Sequence, residues 1–298
     1  MSHVLTLVAA PGALAPAHVS AARDALRALG AATGAPDWLG EAEAADLPFA
    51  ELAPEQAVAA ARAALGADAP DLLATPAEGR RKRLLIADMD STIVTTETLD
   101  EMAAAAGLKD VIAAITARAM NGELDFKAAL RERVAMLKGL DEAALEDTWR
   151  ETQLMPGALE LVGTMRAHGA HCALVSGGFT FFTGRVAERV GFHEHHSNTL
   201  LTKAGKLAGT VAEPILDKDS KLATLKRLAA ARGLPLEACC AVGDGANDLP
   251  MIQAAGLGVA FRAKPAVRAA ARHVVTQGDL SALLFAQGYR RGEFSAAG

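Results

Sequence analysis

The sequence predicts an α/β protein in which a Rossmann-like parallel sheet carries a helical cap and follows a small α+β domain. From residue 84 onward, short apolar runs alternate with helical segments, which is typical of a mostly parallel sheet. Residues 96–155, shortly after the first of these runs, contain helical patterns only, which indicates an insertion. The chain has 298 residues, a length that favours two domains at the usual size of about 150 residues each.

Residues 1–80 predict a small α+β module of βαββαβ type. Strand patterns occupy three regions, of which the second has room for one or two strands: Val4–Val8, Trp38–Phe49 and Asp71–Ala74. Helical patterns occupy Val19–Leu29 and Glu55–Leu65. The basic run at 79–83 predicts a solvated linker rather than a targeting signal. We therefore expect a regulatory or oligomerising domain over 1–80 and a core domain over 81–298.

The core domain is predicted to alternate five strands with five helices. The strand patterns are Leu84–Ala87, Ala170–Val175, Ala238–Val242, Leu257–Ala260 and His273–Val275. The helical patterns between and after them are 157–168, 179–190, 219–232, 247–254 and 265–271. The insertion adds helices at 98–106, 109–119, 126–138 and 141–152. Because this cap follows the first strand, it lies above the edge of the sheet where ligands bind, and it predicts a lid.

Composition and charge exclude several classes of protein. The formal net charge is −5 with both signs interspersed, which argues against general nucleic-acid binding because that function needs a basic face. No apolar stretch reaches the ~18 residues of a membrane span. The three cysteines, Cys172, Cys239 and Cys240, make no disulfide framework. We expect free thiols and a reduced, cytoplasmic compartment.

The first core strand ends in two carboxylates, Asp88 and Asp90. Ligands of open α/β sheets bind at the carboxyl ends of strands, and acids two residues apart on an extended chain point to the same side. One carboxylate could attack a substrate or hold a metal, and the second could move a proton. The alternative is that both residues only start a turn or cap a helix.

Two further segments could bind phosphate. Ser176 and Gly177 lie between a strand and a helix, where a glycine lets the backbone approach a ligand and the helix N-terminus attracts an anion. An ordinary turn is the alternative. Lys221 lies in the first turn of a helix, where the helix dipole disfavours a cation. That position suits a residue that faces a phosphate, and a solvated surface lysine is the alternative.

The fourth loop carries three oxygen-bearing side chains, Asp244, Asn247 and Asp248. Clustered oxygen ligands suit Mg²⁺, although Asp248 could instead cap the helix that follows. Two carboxylates, a phosphate loop, a lysine and an acidic metal loop at the ends of parallel strands together predict phosphoryl transfer.

These motifs resemble those of a known superfamily. D-M-D-S-T at 88–92, S-G-G-F at 176–179, the helix-borne Lys221 and G-D-G-A-N-D at 243–248 resemble the four motifs of the haloacid dehalogenase-like hydrolases. T-T-E-T-L-D at 95–100 and the run at 120–134 resemble, more narrowly, the phosphoserine phosphatases of bacteria and archaea. The resemblance covers residues 80–290 and implies Mg²⁺-dependent release of L-serine from O-phospho-L-serine, the last step of serine biosynthesis. Residues 1–80 would at best be a divergent amino-acid-binding module of the ACT type.

The resemblance also implies a role for each motif residue. Asp88 is expected to be the nucleophile that forms an aspartyl-phosphate, and Asp90 the acid that becomes a base in the second step. Mg²⁺ is expected to be held by Asp88, Asp244 and the backbone carbonyl of Asp90, with Asp248 one layer farther out. The phosphate oxygens are expected to contact Ser176, Gly177, Lys221 and Asn247.

Arg133 and Glu97 predict a zwitterionic substrate. Arg133 lies in the middle of the apolar stripe of helix 126–138, where a charged group needs a partner. Its guanidinium suits a carboxylate, and a buried salt bridge with a cap acid is the alternative. Glu97 could meet an ammonium group or could only favour a helix N-terminus. The resemblance assigns both residues to the amino-acid end of the substrate, with Met120 and Phe126 helping to close the pocket.

Several alternatives stay open from the sequence. The chemistry could act on another small phosphomonoester or transfer the phosphoryl group to an acceptor alcohol. A protein of a different class would sense an amino acid through residues 1–80, and that domain could also mediate a homodimer. His193, His195 and His196 are predicted to lie in a solvated turn rather than a metal site, and Trp38 and Trp149 are predicted to be packing residues.

Overall fold

The structure, a computed structural model, describes residues 1–121 and 123–296, with the backbone alone at residues 68, 120 and 218. It contains an antiparallel sheet in the N-terminal region and a six-stranded parallel sheet in the rest of the chain, which confirms the predicted fold class. Within the described residues, no helix is long and apolar enough to cross a membrane.

The elements follow the predicted order closely. The strands are β1 His3–Val8, β2 Ala32–Thr33, β3 Asp37–Gly40, β4 Ala44–Ala50, β5 Asp71–Pro76, β6 Leu84–Ala87, β7 His171–Phe179, β8 Glu194–Asn198, β9 Leu200–Lys203, β10 Lys206–Val211, β11 Cys239–Gly243, β12 Leu257–Phe261 and β13 His273–Val275. The helices are α1 Pro16–Ala28, α2 Pro54–Leu65, α3 Thr98–Ala104, α4 Lys109–Met120, α5 Phe126–Met136, α6 Ala143–Glu151, α7 Ala158–Ala167, α8 Thr180–Val190, α9 Lys218–Ala231, α10 Leu249–Ala254, α11 Pro265–Ala270 and α12 Ala282–Ala286.

The parallel sheet brings the loops that carry the predicted site residues to one edge. Its strand order is β13-β12-β11-β6-β7-β8, so β6 is flanked by β7 on one side and β11 on the other. All four residues of β6 are buried, as expected for a strand covered on both faces. The chain runs outward from β6 through β7 to β8 and then returns to β11 on the other side of β6. This reversal of strand order opens a crevice at the carboxyl ends of β6 and β11.

The antiparallel sheet is covered on both faces. In β1, Leu5 and Leu7 pack with side chains of α1 and α2, whereas Val8 joins the apolar cluster that contains Leu283 and Phe285 of α12. This alternation follows the period of two along a strand. The N-terminal sheet therefore packs against the C-terminal segment of the same chain on the face that its own helices leave open.

The expectation of a solvated linker at residues 79–83 is wrong for Arg80 and Lys82, whereas Gly79, Arg81 and Arg83 are exposed. Arg80 donates to both carboxylate oxygens of Asp46 and to Thr6 Oγ1 of the N-terminal sheet. Lys82 is buried and its ammonium donates to the carbonyls of Gly79 and Glu237. A basic run is solvent-exposed only when no hydrogen-bond acceptors surround it. Here the N-terminal sheet and the core domain supply such acceptors.

The prediction of a solvated turn holds for His193, which is exposed in a bend. It is wrong for His195 and His196, because residues 194–198 form β8 at the edge of the parallel sheet. Within the part of the chain that the structure describes, none of these histidines belongs to a group able to hold a metal. The β9–β10 hairpin is a further element that the sequence analysis missed. Trp38 and Trp149 pack against apolar clusters, and the three cysteines are free and buried, all as predicted.

Candidate active site

The predicted loops meet at the carboxyl ends of β6, β7 and β11, beneath helices α3 and α5 of the cap. One cavity is lined by residues from all of these segments: Asp88, Asp90, Glu97, Thr98, Leu99, Phe126, Leu130, Arg133, Ser176, Gly177, Gly178, Phe179, Asp244 and Asn247. Its open space is about 30 Å³, room for on the order of two water molecules. The cap therefore leaves little free space above the carboxylates.

The first loop is a tight turn rather than the extended segment that the spacing of its acids suggested. β6 ends at Ala87, and the amides of Thr92, Ile93 and Val94 all donate to the carbonyl of Met89. Ser91 takes a left-handed conformation with φ of 55°, which is uncommon for a residue other than glycine. The turn directs both acids into the same cavity by a different backbone path.

Lys221 is the cation closest to the proposed nucleophile. Its ammonium lies 2.8 Å from Asp88 Oδ1 and 2.6 Å from Asp248 Oδ1. The side chain is only 2% exposed, which rules out the solvated alternative. Burial disfavours the Lys221 cation, but Asp248 and Asp88 outweigh that cost and hold its pKa above the usual range.

Asp248 does not cap the helix that follows it. It stands at the N-cap position of α10 without a side-chain capping bond. Its Oδ2 accepts instead from the amides of Asp244, at 3.1 Å, and Gly245, at 3.0 Å. Together with the ion pair to Lys221, these bonds occupy both of its oxygens, so Asp248 holds the loop and the lysine in place.

Asp244 and Asn247 carry buried oxygens that the protein does not satisfy. Asp244 Oδ2 and Asn247 Oδ1 have no hydrogen-bond partner among the described residues, although Lys264 Nζ lies 3.5 Å from that Asp244 oxygen. Burial and the Asp248 carboxylate raise the pKa of Asp244 to about 7. Native proteins rarely leave such groups unpaired without a functional reason.

The same acids form a group that can hold a cation. Asp88, Asp244 and Asp248 each offer an oxygen, and these oxygens lie within 4.8 Å of one another. Burial and the carboxylates of Asp248 and Asp244 raise the pKa of Asp88 well above its usual range, and Lys221 only partly opposes them. An all-oxygen donor set with surplus negative charge fits Mg²⁺.

Asp90 faces the carboxyl end of β7. Its Oδ1 accepts from the Thr98 amide at 2.8 Å, and its Oδ2 lies 3.3 Å from Ser176 Oγ. Burial raises its pKa, and the bonds from Thr98 and Ser176 oppose the shift. A carboxyl group with a raised pKa is suited to donate and recover a proton.

The Ser176–Gly177 motif lies inside β7 rather than in the predicted loop. The register of β7 against β8 shifts between Val175 and Phe179, and the Gly178 amide donates to Ser176 Oγ at 2.8 Å. A Cβ on Gly177 would lie 2.5 Å from Phe126 Cζ. This position therefore needs glycine so that the Phe126 ring can close the cavity. The side chain of Met120, the other predicted closing residue, lies outside the described part of the chain.

Glu97 reaches into the cavity from the start of α3. It occupies the N-cap position without a capping bond, and its carboxylate accepts from Ser91 Oγ at 2.8 Å. Burial and the nearby Asp90 carboxylate raise the pKa of Glu97 to about 8. A carboxylate under this repulsion gains from a cationic ligand, so its placement suits an ammonium group better than a helix-capping role.

Arg133 is a buried cation without a carboxylate partner in the described chain. It is 3% exposed, and its hydrogen bonds go to the Ala129 carbonyl, at 3.2 Å, and to Thr116 Oγ1, at 2.8 Å. Burial lowers its pKa, and the Asp100 carboxylate opposes this most strongly. The predicted alternative of a direct salt bridge with a cap acid is not observed among the described residues.

The sequence analysis missed three polar residues that support the site: Thr116, Asp100 and Lys264. Thr116 is buried on α4, four residues after Ile112 on the same face, and a hydroxyl in an apolar helix stripe could have indicated a polar contact. Asp100 stands within the T-E-T-L-D segment but was not singled out. Lys264 gave no local signal because its contact with Asp244 joins two separate loops.

Comparisons with known proteins show the family to which this chain belongs. A model of the haloacid dehalogenase-like hydrolase family matches residues 85–253. The phosphoserine phosphatase of Streptomyces coelicolor is 44% identical over 241 residues, which are 81% of this chain and 58% of that protein. The chain thus spans little more than half the length of that relative. The phosphoserine phosphatase of Streptococcus thermophilus is 46% identical over 199 residues, 67% of this chain and 93% of that protein.

A solved structure extends the similarity to the N-terminal region. The HAD family hydrolase t0658 from Salmonella enterica subsp. enterica serovar Typhi is 30% identical, with a TM-score of 0.80. The match covers 96% of this chain and 98% of that one, so both sheets have counterparts in a single known structure.

Proposed function

Because this chain belongs to the haloacid dehalogenase-like hydrolases, we propose that it hydrolyses O-phospho-L-serine to L-serine and phosphate, with Mg²⁺ as cofactor, as the last step of serine biosynthesis. One observation carries the choice of substrate. The cavity that contains Asp88 and Asp90 also receives Arg133, a buried cation without an acidic partner among the described residues, and Glu97, a crowded acid. A phosphomonoester with both a carboxylate and an ammonium group complements this set.

In the first step of this reaction, an Asp88 oxygen attacks phosphorus and the bond from phosphorus to the serine oxygen breaks. Asp90 gives its proton to the departing serine oxygen, which its raised pKa favours. Lys221 lies against Asp88 and would meet the phosphoryl charge as it approaches. The product of this step is an aspartyl-phosphate on Asp88 and free L-serine.

In the second step, Asp90 takes a proton from water, and the water oxygen attacks phosphorus. The bond from Asp88 to phosphorus breaks, which releases phosphate and restores both acids. Ser176 Oγ, the Gly177 segment, Lys221 and Asn247 are the groups at this edge that can hold phosphate oxygens.

Asp88, Asp244 and the carbonyl of Asp90 are the proposed direct ligands of Mg²⁺. Asp248 is proposed to lie one layer out because its oxygens are already bonded to Lys221 and two backbone amides. When bound, the cation neutralises phosphate charge and favours the ionised form of Asp88.

The test is phosphate release from O-phospho-L-serine beside sugar, nucleotide and aryl phosphates, with Mg²⁺ and with EDTA. We expect a strong preference for phosphoserine that disappears in EDTA. Equal rates on all of the esters would refute the substrate, and unchanged rates in EDTA would refute the cofactor. Absence of phosphatase activity together with serine binding would favour a sensory protein instead.

A further inference from the structure

Arg133 is held by neutral groups although it is buried. Its Nε donates to the carbonyl of Ala129 on its own helix, and its Nη1 donates to Thr116 Oγ1 on α4. Its Nη2 makes no hydrogen bond to any residue that the structure describes. Arg133 also lines the cavity beside the catalytic acids, so the guanidinium retains free donors for a ligand.

The Thr116 hydroxyl also forms a hydrogen bond to the carboxylate of Asp100. The hydroxyl lies 2.6 Å from Asp100 Oδ1 on α3 and 3.0 Å from the carbonyl of Ile112 on its own helix, and the Thr116 and Asp100 side chains are buried. The Asp100 carboxylate is both the nearer and the charged acceptor, so it is the stronger acceptor for the single hydroxyl proton. A hydroxyl has one proton to donate and lone pairs to accept with. Thr116 can therefore accept from Arg133 and donate to Asp100 at the same time, which links helices α5, α4 and α3 through one polar chain.

We propose that Thr116 and Asp100 are positioning residues that aim Arg133 at the α-carboxylate of an amino-acid phosphomonoester. The proposal rests on the proposed function and deepens it. If Asp100 contacted Arg133 directly, the substrate carboxylate would have to compete with an internal acid for the same guanidinium. The intervening hydroxyl keeps the acid near enough to support a buried cation but leaves the outward face of that cation unpaired.

The hydrogen-bonded chain Arg133–Thr116–Asp100, which we call the relay, also sets the spacing between Arg133 and Glu97, which we call the clamp. Asp100 lies one helical turn after Glu97 at the start of α3, and Arg133 lies on α5. Because Thr116 joins Asp100 to Arg133, it sets the separation between the group for the substrate carboxylate and the group for its ammonium. Loss of the relay should weaken recognition of the substrate carboxylate and leave phosphoryl transfer intact.

The test compares Thr116→Val with wild type on two substrates, O-phospho-L-serine and O-phosphoethanolamine, which lacks the carboxylate. We expect KM for phosphoserine to rise about tenfold or more, the effect of losing a hydrogen bond to a charged group, with kcat nearly unchanged. Kinetics on phosphoethanolamine should not change. Thr116→Ser keeps the hydroxyl and should restore the KM for phosphoserine.

Two further variants keep the test decisive. In an Arg133→Ala background, Thr116→Val should add nothing, because both changes act on one interaction. Asp100→Asn, which retains an acceptor, covers the case in which Thr116→Val does not fold, and should also raise KM for phosphoserine selectively. Equal losses on both substrates, or an unchanged KM in both variants, would overturn the relay. A wild-type enzyme that does not prefer phosphoserine would overturn the proposed function instead.

Discussion

Two regions of this molecule bury charged side chains, and they treat them in opposite ways. At the contact between the N-terminal sheet and the core, Asp71 accepts hydrogen bonds from the amides of Thr276, Gln277 and Gly278. Arg80 is paired with Asp46 in the same interface. At the candidate active site, acids crowd one another, and three buried oxygens, on Thr98, Asp244 and Asn247, have no partner among the described residues.

This difference separates stability from function. A buried polar group that is satisfied inside the protein supports the folded state. A buried group left without a partner lowers stability until a ligand arrives, so it indicates where a ligand binds. The interface is therefore a structural contact between two parts of one chain, whereas the candidate active site keeps unpaired groups that suit the proposed cation and phosphomonoester.

The largest effect is expected from Asp88→Asn, which removes one of the crowded acids of the candidate active site. We expect kcat to fall by at least about 10³-fold because the proposed nucleophile is lost. In EDTA, thermal unfolding should occur at the same or a higher temperature, since one of the crowded acids has been removed and Lys221 keeps Asp248 as its partner. An active variant would contradict the assignment, and a strongly destabilised one would contradict the electrostatic argument.

Arg133→Ala tests whether the guanidinium on α5 binds the substrate carboxylate at the cap side of the cavity. KM for O-phospho-L-serine should rise by about 10²-fold, the range for a lost charge-assisted contact, and KM for an aryl phosphate should change little. The matched control is Arg131→Ala on the same helix, whose guanidinium pairs with exposed Glu213. Steady-state kinetics of both variants on both substrates would reveal any nonspecific damage to α5.

Asp71→Ala tests the contact between the N-terminal sheet and the core, where the buried charges have partners. The variant leaves three backbone amides without their acceptor, so the free energy of unfolding should fall by about 2–3 kcal/mol, measured by urea denaturation. The kcat/KM of the folded variant should equal that of wild type because the contact lies away from the catalytic edge. Asp37→Ala removes an exposed partner of Arg290 and should cost much less, because solvent screens an exposed ion pair. Equal effects of the two changes would show that the buried Asp71 contact contributes no more than the exposed ion pair.

The pH dependence of stability offers a finer test at Glu97. Its pKa is raised from 4.5 to about 8 in the folded protein, so the folded state binds a proton that the unfolded state has lost. Glu97 therefore costs stability progressively as pH rises from 4.5 to about 8, by at most ~1.4 kcal/mol per pH unit.

Glu97→Gln cannot ionise and should escape this loss. In EDTA, its stability advantage over wild type should grow across that interval and level off above it. Urea denaturation of both proteins at several pH values measures the difference. Parallel stability curves for the two proteins would show that Glu97 is not under the repulsion described here.

Local sequence found most of the catalytic edge. A buried apolar strand followed by two acids, a serine among glycines and an acid-rich loop are signals that neighbouring residues carry, and the carboxyl ends of parallel strands must meet. Arg133 was also readable, because a charge in the apolar stripe of one helix is visible in the helical period. The roles of these residues in catalysis stay predictions until the variants are measured.

Contacts between distant segments could not be read in this way. The sequence showed a basic run at 79–83, and only the folded chain showed that the partly buried Arg80 and the buried Lys82 lie among acceptors. It showed three histidines after a helix, and only the sheet showed that they belong to or adjoin an edge strand. The partners in each case lie far away along the chain, so no local pattern identifies them.

By itself, then, the sequence determined the fold class, the strand ends that carry the acids and the cap helix that carries Arg133. Periodicity and composition fix these features because they depend on residues within one or two turns of each other. Only the tertiary structure decided that Lys221 joins Asp88 to Asp248, that Thr116 stands between Arg133 and Asp100, and that Asp244 retains an oxygen without a hydrogen bond in the described chain. These contacts join residues from separate helices and loops, so they form only when the packing of those elements brings the buried groups together.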